Sequence, residues 1–323
     1  MRDEILSQEL VNPIYSFHFK DYYEEYFSRK PEKRLEFLVT HEGTVIILYL
    51  IHEYSATRTE KKHFSYYGLP GIVVINSKVD KIIQDLAMRK VLSHLSGIGA
   101  LKNLKDYSFD IIHPNPSSKN ITSLETLISS GSSGYIYFER VIDISMEVDD
   151  IVNNLSKSVK LALKKTNLTA ESFRFIDSNC LHKNQNEAIN VLKDLHLQAA
   201  GRKTRSDKSW KIQESYLKNG CIVIGLGYFD QKPVHGSMFM LAANSAYYAV
   251  SANSREIHGT SVAHPFIFKA ILALKELGIQ KIFMGRQYEE FTRDVSEKEL
   301  NIARFKSFFG GNLAFGIGLK NVK

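Results

Sequence analysis

The alternation of short apolar runs with helix-patterned segments is the feature that most constrains how this chain can fold. Two pairs of these runs are joined by turn sequences and not by a helix. Runs at 35–40 and 44–53 are joined by His41-Glu42-Gly43, and runs at 221–229 and 234–243 by Asp230-Gln231-Lys232-Pro233. Such joins are typical of β-hairpins, whose strands are antiparallel. Hairpins among helical crossovers predict an α/β (mixed α+β) fold with mixed sheets, and not a doubly wound parallel sheet.

The same order of elements occurs in both halves of the 323-residue chain. A chain of this length is expected to form one large or two medium domains. We therefore predict two similar subdomains, residues 1–145 and 146–323, although no sequence repeat can be aligned between them. No extended heptad pattern occurs, so we expect no coiled-coil arm.

Composition narrows the class of protein. Hydrophobic residues make up 44% of the chain and charged residues 24%, which is usual for a soluble globular protein. The longest apolar run, Thr44 to Ile51, is too short to span a bilayer, and the charged N-terminus lacks a secretory signal. We therefore expect no transmembrane segment and a cytoplasmic location. The formal net charge of +7 suits a phosphate-bearing partner such as a nucleotide, a nucleotide sugar or RNA.

Neither a metal site nor a disulfide framework is expected. The two cysteines, Cys180 and Cys221, are far apart in the sequence, and the 11 histidines are scattered singly. These spacings lack the close clustering of a zinc site, and two cysteines cannot form a disulfide scaffold in a chain of this size.

Two groups of basic residues are candidates for binding an anionic substrate. Lys157, Lys160 and Lys164 share one face of a helix predicted over 151–166. A basic stripe of this kind binds phosphates, but the solvated face of an ordinary helix has the same pattern. The second group starts at Arg202, in a cation-rich loop that suits an anion or a pyrophosphate. His196, near the end of the preceding helix, is either a base or a structural histidine.

The segment before the helix predicted at 261–277 is a third candidate anion site. It contains Arg255, small residues and hydroxyls, and the backbone N–H groups at a helix N-terminus are available to an anion. Ser261 suits such a site, or it simply caps the helix. Arg286 follows a strand predicted at 279–284, and strand ends in open sheets face ligands. Arg286 is therefore a candidate contact, with a purely structural role as the alternative.

A basic-aromatic motif near the C-terminus indicates a charge held in a partly apolar place. The segment Ala303 to Asn312 places Lys306 among phenylalanines and ends its helix pattern at Gly310-Gly311. Such a charge is costly unless it has an anionic partner or a role. The alternative is a lysine that extends over phenylalanine rings to reach water.

In their order and spacing, these motifs resemble the FemAB-like branch of the GNAT superfamily. The resemblance is carried by Val141 to Ser145 with the lysine-rich stretch up to Lys165, His196 to Arg202, Asp230 to Gly236, Ala246 to Tyr248, Leu274 to Gly285, and Phe305 to Gly311. Ser65 to Gly71 is similar to an aromatic turn of the family, with Tyr66 where proline is common. The acyl-CoA loop of GNAT proteins is not matched, because Arg255 and Gly259 are one residue too far apart.

The resemblance implies two GNAT-like subdomains and the transfer of an aminoacyl or acyl group to an amine. The implied donor is aminoacyl-tRNA or acyl-CoA, a co-substrate and not a permanently bound cofactor. The implied acceptor is an amine of a nucleotide-linked cell-envelope precursor, as in peptidoglycan biosynthesis, or of an amino sugar. The alternatives are an acyl-CoA-dependent small-molecule N-acetyltransferase and a non-catalytic binding module on the same fold.

The resemblance also implies roles for individual residues. Lys306, held by Phe305, is expected to stabilise the oxyanion that forms when an amine attacks the donor carbonyl. The second subdomain is expected to bind the donor and to carry catalysis, and the first to bind the acceptor. The expected donor-binding residues are Lys157, Lys160, Lys164, Arg202, Arg255 and Ser261, and the expected acceptor-binding residues are Tyr66, Tyr67 and Arg286. A non-catalytic module would instead leave Lys306 pointing into solvent.

Overall fold

The computed structural model describes most of the chain, in segments. These are residues 12–28, 33–55, 62–65, 71–76, 79–101, 108–112, 133–166, 169–255, 263–289 and 295–320. Contacts divide the chain into two units. The first is formed mainly by Tyr15–Phe138 and Ala314–Lys323, and the second by Asn12–Ile14 and Glu139–Leu313.

The described residues form twelve strands and eight helices. The strands are β1 (Lys33–His41), β2 (Thr44–Ser55), β3 (Lys62–Ser65), β4 (Gly71–Ile75), β5 (Ser108–Ile112), β6 (Ser133–Asp143), β7 (Phe173–Ile176), β8 (Ile222–Phe229), β9 (Lys232–Ala242), β10 (Ser245–Asn253), β11 (Lys281–Gln287) and β12 (Asn312–Lys320). The helices are α1 (Lys20–Tyr26), α2 (Lys81–Leu101), α3 (Val148–Asn153), α4 (Lys157–Lys165), α5 (His182–Ala200), α6 (Asp207–Lys218), α7 (Ala263–Glu276) and α8 (Glu297–Ser307). Short 3₁₀ helices lie at Pro13–Tyr15, Phe17–Phe19 and Ala170–Ser172.

The first unit is built on strands that run in both directions. β1 and β2 form an antiparallel hairpin, β2 is antiparallel to β3 and β4, β4 is parallel to β5, and β5 is antiparallel to β12. Helix α2 contacts β1 and β2, and it buries Ala87, Met88 and Val91. The mixed strand directions confirm the predicted mixed sheet.

Both predicted hairpins are confirmed, and each turn consists of two residues in the left-handed region. Glu42 and Gly43 have φ angles of 48° and 77°, and Asp230 and Gln231 have φ angles of 48° and 61°. Two-residue turns with positive φ match the right-handed twist of the strands that they join. In the second hairpin the turn is shorter than predicted, so β9 starts at Lys232 and not at 234.

The second unit has the strand order β6-β11-β10-β9-β8-β7, and helices cover both faces of this sheet. The pairs from β7 to β10 are antiparallel, whereas β10 and β11 are parallel. A Cβ on Gly236 of β9 would contact Leu192 of α5, whereas one on Gly227 of β8 would overlap Phe266 of α7. Gly227 pairs with His235, the residue before Gly236, and neighbouring residues of a strand point to opposite faces. Helices α5 and α7 therefore lie on opposite faces of the sheet.

Helix α4 lies on the same face as α7. The sequence predicts one helix over 151–166, but the structure has two, because the Ser156 hydroxyl accepts a hydrogen bond from the Val159 N–H and starts α4 as a new helix. Leu155 and Val159 are buried in a core cluster that also contains Ile267 and Ile271 of α7. This packing leaves the lysine-bearing side of α4 directed away from the core.

The boundary between the units differs from the predicted subdomain boundary at 145/146. The division falls between Phe138 and Glu139, inside β6, and the segment Ala314–Lys323 belongs to the first unit. The C-terminal strand joins the first unit because β12 pairs with β5. A boundary inside a strand gives no linker signal in the sequence, since domain boundaries are usually recognised as exposed, polar loops.

We expect Gly227→Ala to destabilise the second unit. The added methyl would overlap the ring of Phe266, which is fully buried. Overpacking of this kind costs about 1–3 kcal/mol, which urea unfolding can measure as a lower free energy of unfolding. Phe266→Leu removes ring volume at the same contact. The double variant should therefore lose less stability than the sum of the losses of the two single variants. Strict additivity in the double variant would show that this contact is not the cause.

Candidate functional site

The candidate site lies where β10 and β11 leave their shared ladder. The two strands pair in parallel only from Ser245↔Lys281 to Tyr247↔Phe283, yet β10 continues to Asn253 and β11 to Gln287. An irregularity between Tyr248 and Val250 shifts the register of β10 against β9, and Gly285 in β11 has a φ of 84°. The carboxyl ends of neighbouring parallel strands are where open sheets bind ligands.

Helix α8 carries Lys306 to this point and is held at both ends. At its start, the Ser296 hydroxyl accepts from the Glu299 N–H while the Glu299 carboxylate accepts from the Ser296 N–H, which is a capping box. Beyond its end, Gly310 and Gly311 have φ angles of 79° and 77°. A Cβ on Gly310 would lie 2.6 Å from the Asn154 carbonyl oxygen, so only glycine fits this turn.

The Lys306 ammonium is partly buried and lies beside Gly285. Its Nζ is 3.5 Å from the Arg286 carbonyl oxygen, a long hydrogen bond. It is also 3.1 Å from the position that a Cβ on Gly285 would occupy. Burial lowers the pKa of Lys306, and the Glu139 carboxylate partly opposes this shift. The side chain therefore does not extend over phenylalanine rings into water; it ends where β10 and β11 separate.

Phe305 packs away from Lys306, in an aromatic cluster that docks α8 on α7. Its ring stacks on His264 at a centroid distance of 5.3 Å, and it meets Phe309 edge-on at 5.5 Å. The Phe308 ring also contacts His264 edge-on, at 5.6 Å. Burial lowers the pKa of His264, and its ring nitrogens have no hydrogen-bond partner among the described residues, so the surroundings disfavour the charged imidazolium. These contacts place the Phe305 ring where it fixes the position of the helix, while a catalytic role for Phe305 remains a prediction.

A polar cluster centred on Glu139 and Arg140 of β6 lies beside this site, and the sequence analysis did not predict it. Asn12 Nδ2 donates to Glu139 Oε1 at 2.6 Å. Arg140 donates through Nη1 to the carbonyl oxygens of Gly310 at 3.1 Å and Gly311 at 3.0 Å. Burial lowers the pKa of the Arg140 guanidinium, and the nearby Glu289 carboxylate partly opposes this. The available signal was two adjacent charges, Glu139 and Arg140, inside an otherwise apolar strand.

The three lysines predicted to bind the donor share one face of α4. Lys157 and Lys164 are exposed, and Lys160 is partly exposed with its Nζ donating to the Asn153 carbonyl oxygen at 2.9 Å. Val159 and Ala162 form the buried side of the helix. The predicted amphipathic pattern is therefore confirmed, while binding of a donor by these lysines remains a prediction.

Arg255 and Arg202 lie at the end of α5. The helix ends at Gly201, which has a φ of 69°, and Arg255 Nη2 donates to the Ala199 carbonyl oxygen at 3.2 Å. Arg255 thus satisfies a carbonyl that a helix C-terminus leaves without a partner. Arg202 is exposed in the turn that follows. Because α5 and α4 cover opposite faces of the sheet, those predicted donor-binding residues that the structure describes do not form one cluster.

His196 has a structural role near the same turn. Its Nε2 accepts a hydrogen bond from Arg205, whose guanidinium lies 5.7 Å from the centroid of the Trp210 ring. Burial, together with the Arg205 charge, lowers the pKa of His196 to about 4. The imidazole is therefore neutral at physiological pH and holds Arg205 in place. This arrangement favours the structural alternative over the role of a base.

The remaining predicted residues divide into described and undescribed positions. Arg286 is the penultimate residue of strand β11, and its carbonyl oxygen faces the Lys306 ammonium. Ser261, Tyr66 and Tyr67 lie outside the described residues. Among the described residues, no group of histidine, cysteine, aspartate or glutamate side chains is arranged to hold a metal ion. None of the described helices is both long and apolar enough to cross a membrane.

The fold is shared with several solved structures at low sequence identity. FemX superposes with a TM-score of 0.63 at 14% identity, covering 92% of this chain and 90% of FemX. L-PGS from Bacillus licheniformis superposes with a TM-score of 0.51 at 10% identity, covering 97% and 93%. A tandem GNAT protein from the clavulanic acid biosynthesis pathway has a TM-score of 0.50 at 7% identity, covering 90% and 84%. No family model and no curated protein matches the sequence.

These likenesses show the fold of the chain. It is a mixed α/β fold shared with FemX and with the tandem GNAT protein, which is the fold that the ordered sequence motifs implied. The strands that separate at the candidate site, β10 and β11, belong to the second of its two units. The fold prediction is therefore confirmed, and the chemistry has to be argued from the residues at this site.

We expect Arg140→Met to destabilise the second unit by about 1 kcal/mol, because the two partly buried acceptors would cost less than the about 1–3 kcal/mol of a fully buried acceptor left without a donor. The carbonyls of Gly310 and Gly311 would lose their donor. Arg304→Met is the matched control, since Arg304 is exposed and its guanidinium makes one hydrogen bond within the described part of the chain, to Asn301. Its expected effect is within about 0.5 kcal/mol in urea unfolding. Equal losses in both variants would contradict the anchoring role of Arg140.

Proposed function

We propose that the protein transfers an aminoacyl or acyl group from an activated ester or thioester to an amine. The observation that carries this proposal is the Lys306 ammonium, partly buried and placed beside Gly285 where β10 and β11 separate. A cation in a site that excludes much of the water interacts strongly with a developing negative charge. The position also argues against a non-catalytic module, which predicts a lysine directed into solvent.

The substrate amine is itself the nucleophile, so the protein needs to supply a positioned cation and not a nucleophilic side chain. The amine nitrogen forms a bond to the donor carbonyl carbon, and the carbonyl electron pair moves to oxygen. The resulting oxyanion collapses, the bond to the alcohol or thiol breaks, and the amine proton leaves with that group. Lys306 keeps its protons throughout and stabilises the oxyanion. The Glu139 carboxylate favours this ammonium form, because it opposes the lowering of the Lys306 pKa by burial.

Two classes of donor suit this site. Aminoacyl-tRNA is supported by the resemblance to the FemAB-like family, by the fold shared with FemX and by the exposed lysines of α4. Acyl-CoA is supported by the fold shared with a tandem GNAT protein whose structure was solved without AcCoA. In both cases the acceptor is an amine of a nucleotide-linked cell-envelope precursor or of an amino sugar, and the reaction takes place in the cytoplasm, where both donors are made.

A screen of melting temperature against candidate donors tests the proposal first. A ligand that binds the folded state at one hundred times its Kd stabilises it by about 2.7 kcal/mol. We expect either aminoacylated tRNA or acetyl-CoA to raise the Tm, with uncharged tRNA and free CoA as the respective controls. Turnover is then measured as transfer of a radiolabelled acyl group to an amine acceptor. Absence of transfer from both donor classes to both acceptor classes would overturn the proposal.

We expect Lys306→Met to lower kcat by about 10²–10³-fold, which is the usual effect of removing one oxyanion donor. KM should change little, because the interaction forms only in the transition state. Lys298→Met is the control on the same helix, since Lys298 is exposed at the far end of α8. A Lys306→Met enzyme that turns over at the wild-type rate would show that this ammonium has no catalytic role.

We also expect Lys306→Met to raise the Tm at neutral pH, because burial lowers the pKa of the lysine in the folded state. Below the folded pKa both states are protonated, and burial of the charge opposes folding in full. Above it the folded state loses its proton before the unfolded chain does, so wild-type stability rises with pH. The advantage of the methionine variant should therefore shrink towards the unfolded pKa of about 10.4. A lower Tm for Lys306→Met at neutral pH would mean that the charge is net stabilising.

A further inference from the structure

Tyr247 and Lys306 border one space beside Gly285. The position of a Cβ on Gly285 lies 3.3 Å from the Tyr247 hydroxyl oxygen and 3.1 Å from Lys306 Nζ. Gly285 is buried and has a φ of 84°, a backbone conformation that is strained for residues other than glycine. The Lys306 ammonium and the Tyr247 hydroxyl therefore both end against Gly285, at a point where any larger residue would crowd them.

Tyr247 reaches this space because of its position in the ladder. Tyr247 forms the last pair between β10 and β11, opposite Phe283. Its hydroxyl extends towards Gly285, which lies two residues after Phe283 in β11. Tyr247 pairs with Met240 of β9, and Tyr248 pairs with Phe239, so the two tyrosines point to opposite faces of the sheet. Tyr248 packs its ring on Phe239 at 5.4 Å, in the core under α7.

We propose that the Tyr247 hydroxyl is a second hydrogen-bond donor to the oxyanion, acting together with Lys306. The proposal rests on the acyl transfer proposed above. An ammonium on a flexible stem acts as a point charge, whereas a phenol hydroxyl on a ring fixed in a strand adds a directional donor. Two donors directed at one oxygen hold the carbonyl in a single orientation, which positions its carbon for the amine. Both groups keep their protons, so the balance of the reaction is unchanged.

Gly285 has a defined part in this arrangement. A side chain at this position would enter the space between the two donors, since its Cβ would lie within 3.3 Å of both. The left-handed backbone would also be strained, at a cost of about 1–3 kcal/mol. Gly285 is therefore a positioning residue: it lets the Lys306 ammonium and the Tyr247 hydroxyl approach the same point of β11, and it does not itself take part in the chemistry.

The test is Tyr247→Phe, with Tyr248→Phe as the matched control. Each change removes one hydroxyl from adjacent residues of β10 and keeps the ring. We expect Tyr247→Phe to lower kcat about 10²-fold with little change in KM or Tm, because one oxyanion donor is lost. Tyr248→Phe should stay within about twofold of wild type, since its ring lies on the other face. The assay uses whichever of aminoacylated tRNA or acetyl-CoA supports transfer by the wild-type protein.

A double variant separates a donor to the oxyanion from a purely structural tyrosine. If Tyr247 and Lys306 stabilise the same oxygen, Tyr247→Phe should cost less in the Lys306→Met background than in the wild type. Full additivity, or an unchanged kcat in Tyr247→Phe, overturns the role of Tyr247 and leaves the proposed function standing if Lys306→Met is impaired. A wild-type protein that transfers nothing from either donor overturns both.

Discussion

The hydrogen bonds from Arg140 to the carbonyls of Gly310 and Gly311 fix the end of the segment that carries Lys306. The two glycines adopt left-handed φ angles and approach β6 so closely that a Cβ on Gly311 would overlap the Val141 carbonyl. Arg140 and Val141 are consecutive, so one short stretch of β6 both supplies the donor and sets the clearance. With the capping box at the start of α8, this anchor leaves the helix little freedom to rotate. The direction of the Lys306 side chain follows from these two constraints.

The charges around Lys306 explain why a lysine is tolerated there. Burial lowers the pKa of both Lys306 and Arg140, and in each case a carboxylate acts in the opposite direction, Glu139 for the lysine and Glu289 for the arginine. Groups of this kind, partly desolvated and paired with a specific charge, are concentrated at functional sites. Asn12 holds the Glu139 carboxylate from the far end of the chain, 127 residues away in sequence. Keeping a cation where β10 and β11 separate therefore lowers the stability of the fold. Loss of stability in favour of function is common at the functional sites of proteins.

Local sequence signals predicted the parts of the fold that local interactions determine. The acidic residue before Gly43 marked the first hairpin, and Ser296 with Glu299 three residues later has the pattern of a capping box. Lys306 was proposed as a site residue because a lysine among phenylalanines is an unusual pattern that a few consecutive residues are enough to show. Arg140 was missed because its partners at Gly310 and Gly311 are 170 and 171 residues away, and no local pattern relates them. The hydrogen bond from Arg255 to the Ala199 carbonyl was not predicted, because a sequence does not show which helix end a distant guanidinium will reach.

The faces of the second unit constrain how a donor can engage the predicted basic residues. Tyr247 pairs with Met240, which lies an even number of residues from Gly236, so its side chain is on the α5 face of the sheet. Arg202 follows α5 on that face, whereas the lysines of α4 lie on the face of α7. Arg202 and the lysines of α4 therefore cannot bind the same phosphate group. A donor that contacts the α4 lysines and also presents its carbonyl to Lys306 must extend through the opening beyond the β10–β11 ladder. Both a pantetheine arm and the single-stranded end of a tRNA are slender, but the phosphates of coenzyme A all lie beyond one end of its arm, whereas those of a tRNA end are spaced along the strand.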